Sequence, residues 1–185
     1  MTVGRFLDEL SATTPDPSGG GVAALAVTFA AGLCMMTAGL SARHLPEAPQ
    51  LADQARKLRD RAAPLAQADA EAYRAVIAAL RARDAAGPGK RMAAALSQAC
   101  VVPMEVAGIG AEVAAMAAAI AGGGNPNVRG DAITAALLAA AGSRAAAALV
   151  RINLAGAEGD DRPARADRLA AEASRLATGA EQTAR

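Results

Sequence analysis

The residue in this sequence best suited to acid–base chemistry is Asp69. It lies in a segment, residues 51–80, whose apolar residues recur at intervals of three and four, as on the core-facing side of a helix. Asp69 occupies a position on that apolar side. An unpaired carboxylate there is costly, so it should pair with an arginine, cap a neighbouring helix, or open onto a pocket where it can exchange protons with a ligand. The sequence leaves these alternatives open.

A glycine-rich segment is the second candidate. Residues 13–18 include two prolines, and Gly19, Gly20 and Gly21 follow them immediately before an uncharged run, residues 22–42. The first N–H groups of a helix lack intrahelical partners and lie at the positive end of its dipole, so bare glycines there can expose them to an anion. The alternative is an ordinary loop with glycines capping a core helix. We expect the helix to begin directly after the glycines.

Polar residues in the second half of the chain form a third candidate group. Asn125 and Asn127 flank a proline, which fits a turn, and Asp131 follows near an expected helix start. As a cap, Asp131 would contribute about 0.5–2 kcal/mol. Asn153 follows the apolar stretch 145–152, where a buried amide needs partners that a ligand could supply.

Two pairs of charged residues have the spacing of neighbours on one helix face. Glu105 and Glu112 are seven residues apart, and so are Arg144 and Arg151. The prediction that we favour is ion pairing between these two helices, with contact to a substrate as the alternative. No Ser-His-Asp or Cys-His arrangement can be assembled from this sequence.

Six helices are predicted to position these residues. The first has Thr2 as its N-cap and carries Phe6, Leu7 and Leu10 on one face. Pro64 and Pro103 fall inside predicted helices and should kink them or divide them into shorter pieces. The predicted bounds are about 3–11, 22–44, 48–83, 90–120, 129–154 and 165–180.

The composition predicts an all-α fold, a compact Ala-rich helical bundle, in a single domain over residues 1–185. Hydrophobic residues make up 53% of the chain but aromatic residues only 2%, so Ala, Leu, Val, Ile and Met must build the core. Sustained alternation of β-branched residues, the mark of strands, is nearly absent. The helices carry more apolar surface than one small bundle can cover, which predicts a homodimer.

Several other classes of protein are disfavoured. The formal net charge is +1, without a basic stripe carrying aromatic residues, so we expect no nucleic-acid partner. Cys34 and Cys100 are isolated and lack CxxC spacing, which is typical of reduced core thiols in a cytoplasmic protein and does not favour a metal site. No secretory signal is evident. The run 22–42 is rich in alanine and contains glycine, serine and threonine, so we expect a buried helix and no membrane span.

Four stretches of the sequence occur in an order that resembles a known family. The first is Phe6-Leu7-Asp8-Glu9-Leu10, followed by Thr14-Pro15-x-Pro-x-Gly-Gly-Gly and Val22-Ala23-Ala24. The second is Asp69-Ala70-Glu71-Ala72-Tyr73, and the third is Val102-Pro103-Met104. The fourth is Gly124-Asn125-Pro126-Asn127-Val128-x-x-Asp131 together with Arg151-Ile152-Asn153-Leu154. Over about residues 5–155, the chain is similar to the cyclodeaminase/cyclohydrolase family. This family includes the C-terminal domain of formiminotransferase-cyclodeaminase and free-standing bacterial methenyltetrahydrofolate cyclohydrolases.

The resemblance implies a helical bundle that dimerises, with a folate site near the subunit interface. It also implies an enzyme acting on one-carbon adducts of tetrahydrofolate by proton transfer, without a metal or redox cofactor. By position, Asp69 would be the general acid/base, and Asn125, Asn127, Asp131 and Asn153 would line the site. The segment Gly19-Gly20-Gly21 would face the folate or its glutamate carboxylates.

The resemblance leaves the reaction open among three alternatives. The first is hydrolysis of methenyltetrahydrofolate to the formyl adduct, which we expect because no formiminotransferase domain is present to supply a formimino adduct. The second is cyclodeamination of formiminotetrahydrofolate with release of ammonia. The third is a non-catalytic helical dimer that binds folate or another anion. The chain departs from the family pattern at three positions: Gln67 replaces an acidic residue, Gly130 a serine and Leu149 an asparagine.

Overall fold

The chain is helical almost throughout the part that the computed structural model describes, residues 2–14, 17–82 and 88–184. The described residues contain no strand, and the predicted all-α bundle is confirmed. The elements in chain order are α1 (Val3–Leu10), α2 (Gly19–Gly39), α3 (Ala48–Ala62), α4 (Leu65–Arg81), α5 (Pro88–Ala99), α6 (Val101–Gly123), a 3-10 turn (Pro126–Val128), α7 (Arg129–Asn153) and α8 (Arg162–Gln182).

Two of the predicted long helices are each divided into two. The segment predicted at 48–83 breaks at Ala63 and Pro64, which separate α3 from α4. The segment predicted at 90–120 breaks at Cys100, and Pro103 lies in the first turn of α6. A proline there costs no helix hydrogen bond, because the first N–H groups have no intrahelical acceptor. Both prolines therefore mark helix starts, as the sequence suggested.

The centre of the bundle is formed by α2, α6 and α7, and small residues line their contacts. Most of the buried core residues are alanines, and the largest fully buried side chains include Ile109, Ile120 and Val27. A Cβ added at Gly142 of α7 would lie 2.6 Å from Val27 Cγ2 of α2. Close approach of these two helices therefore requires a glycine at this crossing, in keeping with the predicted aromatic-poor core.

Three helical stretches are long and apolar enough to cross a membrane by length and composition alone. Within the described residues they are Gly19–Gly39, Gly89–Gly123 and Pro126–Asn153. About half of each apolar window is buried inside the bundle, at 50%, 56% and 50% respectively. Packing against one another thus accounts for part of their apolar character, and the absence of a membrane span stays a prediction.

Burial of Cys34 makes the folding stability of the protein depend on pH in the alkaline range. Cys34 and Cys100 are both free and buried, as predicted. Burial raises the pKa of the Cys34 thiol from 9.0 to about 12. The unfolded chain therefore loses this proton at a lower pH than the folded protein, and folding stability should fall as the pH rises from 9.0 toward 12.

We expect Cys34→Ala to weaken this alkaline loss of stability. Urea unfolding of both proteins at a series of pH values measures it. The free energy of unfolding should fall more steeply with pH in the unsubstituted protein than in Cys34→Ala, whatever the offset between them at neutral pH. Parallel curves above pH 9.0 would show that the thiol does not contribute.

Candidate functional site

A cavity lies where the N-terminus of α2, the middle of α4, the end of α5, the start of α6 and the C-terminus of α7 meet. Its volume is about 390 Å³. Small-molecule sites fall in the range of roughly 300–1,000 Å³. The described residues that line it are Ser18, Gly19, Gly20, Asp69, Ala72, Tyr73, Val76, Leu96, Ala99, Pro103, Leu149, Ile152 and Asn153.

The carboxylate of Asp69 is held against the first turn of α2. Asp69 is only 9% exposed, and its Oδ2 accepts a hydrogen bond from Ser18 Oγ at 2.5 Å. A Cβ added at Gly20 would lie 2.1 Å from Asp69 Oδ1 and 2.5 Å from Oδ2. Position 20 must therefore lack a side chain for the carboxylate to occupy this place.

This arrangement changes the interpretation of the glycine segment. The helix starts at Gly19 and not after Gly21, so the prediction that the glycines precede the helix is wrong. The space beside Gly20 that we expected to accept a ligand anion holds Asp69. A carboxylate is favoured there by the positive end of the helix dipole. Gly19 and Gly20 line the cavity, whereas Gly21 faces Ala66, whose carbonyl oxygen lies 3.4 Å from an added Cβ.

Asp69 matches one of the alternatives that the sequence left open, a carboxylate that faces a cavity; within the described residues no backbone N–H of α2 donates to it, so it does not cap that helix. It packs against the start of a neighbouring helix, and it also opens onto the cavity. Within the described part of the chain, no arginine or lysine forms an ion pair with it. Its neighbours are thus a hydroxyl and a helix N-terminus, with no fixed cation among the described residues, which leaves the group able to interact with a ligand.

Asn153 reaches the cavity from the end of α7, and its predicted contact with a ligand stays a prediction. The buried thiol of Cys100 lies close to this side chain, and its Sγ is 4.0 Å from the Val150 carbonyl oxygen. Burial raises the pKa of that thiol, while Arg162 and the Asn153 side chain oppose the increase. Asn153 thus brings an amide, with its donor and acceptor groups, to the cavity wall.

An arginine behind the cavity fixes the end of α5. Arg162, the first residue of α8, donates to the Ser97 carbonyl oxygen at 2.8 Å and to Ser97 Oγ at 2.7 Å. The same guanidinium pairs with Asp160 at 2.6 Å, and its hydrogen bonds lower the pKa of Asp160 to about 2. These contacts hold in place the turn of helix that carries Leu96 and Ala99 into the cavity wall.

The structure does not bring Asn125, Asn127 and Asp131 to this cavity. Asn125 Nδ2 donates to the Leu40 carbonyl oxygen at 3.1 Å, and Asn125 Oδ1 accepts from the Asn127 backbone N–H at 3.0 Å. These bonds lie at the C-terminal end of α2, about 30 Å from Gly20 by helix rise. Asp131 is exposed in the first turn of α7, as expected of a first-turn acid. A role for these three residues toward substrate stays a prediction.

The predicted ion pairs between the helices now identified as α6 and α7 are wrong. Glu105 pairs with Arg61 of α3 at 3.4 Å, and Arg151 pairs with Asp167 of α8. Seven-residue spacing shows which residues share a helix face but not which helix that face meets. Separately, the described residues include no group of three His, Cys, Asp or Glu side chains that could hold a metal ion.

Sequence reasoning missed most of the cavity wall. Ser18 carried one signal, its place directly before the glycines, where a serine usually caps the helix; its side chain makes no such cap and instead bonds Asp69. Tyr73 lies four residues after Asp69, so helical periodicity places it on the same face. Leu96 and Ala99 are apolar residues whose only signal is their position in the fold, whereas Leu149 was marked by its departure from the family pattern and Ile152 by its place beside Asn153.

Three comparisons relate the chain to known proteins. A family model described as formiminotransferase-cyclodeaminase matches residues 2–174. Methenyltetrahydrofolate cyclohydrolase of Methylorubrum extorquens is 34% identical over 179 residues, which cover 91% of this chain and 85% of that protein. The crystal structure of formiminotetrahydrofolate cyclodeaminase from Thermotoga maritima has the same fold, with a TM-score of 0.83 and 24% identity, covering 99% of this chain and 93% of that one.

Proposed function

This chain belongs to the formiminotransferase-cyclodeaminase family, and from that membership we propose that it hydrolyses methenyltetrahydrofolate to the formyl adduct. The observation that carries the proposal is the Asp69 carboxylate, which is buried, free of ion pairs among the described residues, and placed on the wall of a cavity of ligand size. The identity to the Methylorubrum cyclohydrolase supports this reaction.

The reaction requires a proton to be taken from the attacking water and a proton to be given to the leaving nitrogen, and one carboxylate can perform both transfers. Water adds to the bridging carbon of the methenyl group as Asp69 takes a proton from it, which forms a tetrahedral carbon between two nitrogens. The bond from this carbon to one nitrogen then breaks. That nitrogen keeps the electron pair and takes the proton from Asp69, while the hydroxyl proton leaves to solvent as the carbonyl forms. Neither step needs a metal or redox cofactor.

The contacts of Asp69 suit it to this role. The hydroxyl of Ser18 fixes Oδ2, and the bare backbone at Gly20 lets the carboxylate sit close to α2. A group held in one orientation is ready to transfer a proton without reorganising. The rest of the wall is mainly apolar and includes Val76 and Leu149, so few polar groups compete with Asp69 for the substrate.

Cyclodeamination is the second candidate, because the family description names it. There the second nitrogen of the substrate adds to the formimino carbon, and Asp69 passes the proton of that nitrogen to the imino nitrogen; the resulting amino group takes one further proton from solvent and leaves as ammonia. The carbon again becomes tetrahedral between nitrogens, so the same carboxylate would serve. The choice between the two reactions depends on which adduct the protein accepts.

One experiment tests the proposal and separates the alternatives. Purified protein is incubated with methenyltetrahydrofolate, and loss of the near-ultraviolet absorbance of the methenyl group is compared with the uncatalysed rate. A parallel incubation with formiminotetrahydrofolate measures release of ammonia. Acceleration of the first reaction supports the cyclohydrolase, and acceleration of the second alone would replace it with the cyclodeaminase. Binding of folate without either reaction would favour the non-catalytic dimer.

We also propose that two copies of this chain associate through the outer face of α2. Residues Val22, Ala26, Phe29, Leu33, Met36 and Leu40 follow one another at intervals of four and three, the spacing of a helix-pairing seam. Phe29 is 59% exposed, and together with the exposed residues Val3 and Leu7 of α1 it lines an apolar groove between α1 and α2. A second copy would cover this apolar surface.

Phe29→Asp should therefore give a monomer at micromolar concentration, because a carboxylate in an apolar helix seam loses its hydration without gaining a partner. Light scattering measures the mass. Leu80→Asp is the matched control: Leu80 is 68% exposed on α4 and lies outside the seam, so this variant should keep the dimer. If the unsubstituted protein itself has the mass of a monomer, the proposed dimer is wrong.

A further inference from the structure

Tyr73 is an aromatic residue placed beside the candidate acid/base group. It lies on α4, one helical turn after Asp69, and both side chains line the cavity. Tyr73 is 38% exposed, so its ring is not consumed by packing in the core. Among the described lining residues it is the one aromatic side chain, and apart from Asp69 and Asn153 the others are aliphatic or small.

The electrostatics of the cavity favour a positively charged ligand. The described lining includes one carboxylate, that of Asp69, and no arginine or lysine. The face of an aromatic ring carries partial negative charge and attracts a cation that stacks on it. A flat ring system with delocalised positive charge is therefore the ligand that suits Tyr73 and Asp69 together.

We propose that Tyr73 is the stacking residue that holds the charged methenyl bridge beside Asp69. This inference rests on the proposed function and specifies how its substrate is bound. In methenyltetrahydrofolate the positive charge is spread over the bridging carbon and its two nitrogens, in a planar ring. Hydrolysis opens that ring and removes the charge, so the interaction with Tyr73 weakens once the product has formed.

Substitution of Tyr73 tests whether the ring itself is required. Tyr73→Leu keeps apolar bulk but removes the ring face, and it should raise KM for methenyltetrahydrofolate roughly three- to tenfold while kcat stays within about twofold. Tyr73→Phe keeps the ring and should retain a KM near that of the unsubstituted protein. Leu80→Ala, an exposed apolar truncation on the same helix, is the matched control and should change neither constant.

The intrinsic fluorescence of the protein provides a second readout that does not depend on turnover. The sequence contains one tyrosine and no tryptophan, so all tyrosine emission comes from Tyr73. Titration of the Asp69→Asn variant with methenyltetrahydrofolate, which this variant should bind without rapid turnover, should change this emission in a saturable way as the charged ring stacks on Tyr73. Free tyrosine amide at equal concentration corrects for light absorbed by the ligand, and calorimetry on the same samples gives an independent binding midpoint.

The outcomes separate this inference from the proposed function. If catalysis is observed but Tyr73→Leu leaves KM unchanged, or Tyr73→Phe is as impaired as Tyr73→Leu, the stacking role is wrong and the function stands. Binding detected by calorimetry without a change in tyrosine emission leads to the same conclusion. If neither catalysis nor folate binding is found, the proposed function and the inference both fail.

Discussion

Asp69→Asn should lower the turnover of methenyltetrahydrofolate roughly 100-fold or more while the protein stays folded. The substitution keeps the size of the side chain, and the amide oxygen can still accept the hydrogen bond from Ser18 that Asp69 accepts at 2.5 Å. What it removes is a group able to take a proton from water and return it to nitrogen. Steady-state kinetics and a melting curve on the same preparation measure the two effects separately.

Glu71→Gln is the matched control for this loss of a carboxylate. Glu71 lies two residues further along α4, is exposed, and accepts a hydrogen bond from Gln67 at 3.1 Å. It does not line the cavity, so turnover should stay within about twofold of the unsubstituted value. If Asp69→Asn is equally active, or loses activity only in proportion to unfolded protein, Asp69 has no part in the chemistry.

The sequence was most informative where local rules decide the structure. The cap at Thr2, whose hydroxyl oxygen accepts from the Arg5 N–H at 3.3 Å, follows from residue type and position alone. Breaks near Pro64 and Pro103 follow from the missing N–H group of proline. Apolar periodicity defines the buried face of α4, and it singles out Asp69 because an unpaired carboxylate on a buried face is energetically costly.

The contents of the cavity depend on contacts that local rules do not determine. Ser18 and Asp69 are 51 residues apart in the chain, and only the packing of α2 against α4 brings them together. The same argument explains the error over Arg151, whose partner Asp167 lies on α8. Polar residues that pack near opposite ends of one helix cannot be told apart from the sequence. Asn127 and Asp69 were therefore assigned to one site, although they lie near opposite ends of α2.

Gly20→Ala should abolish most of the activity through a single added methyl group. Its Cβ would fall 2.1 Å from Asp69 Oδ1, well inside contact distance, so the carboxylate must leave its place or α2 must move away from α4. We expect turnover to fall roughly 100-fold, as for Asp69→Asn, because the acid/base group is displaced from the reacting carbon. Stability should fall by about 1–3 kcal/mol, the usual cost of overpacking.

Two further variants show whether the effect runs through Asp69. Gly32→Ala lies on the same helix with open space around its added Cβ, so it should keep full activity and gain up to about 1 kcal/mol in stability from helix propensity. In an Asp69→Ala background the carboxylate is gone, and Gly20→Ala should then cost much less stability than in the unsubstituted protein. Equal cost in both backgrounds would mean that the glycine is needed for the backbone of α2 and not for the carboxylate. The bare backbone at Gly20 would then not be what allows the carboxylate of Asp69 to lie against the start of α2.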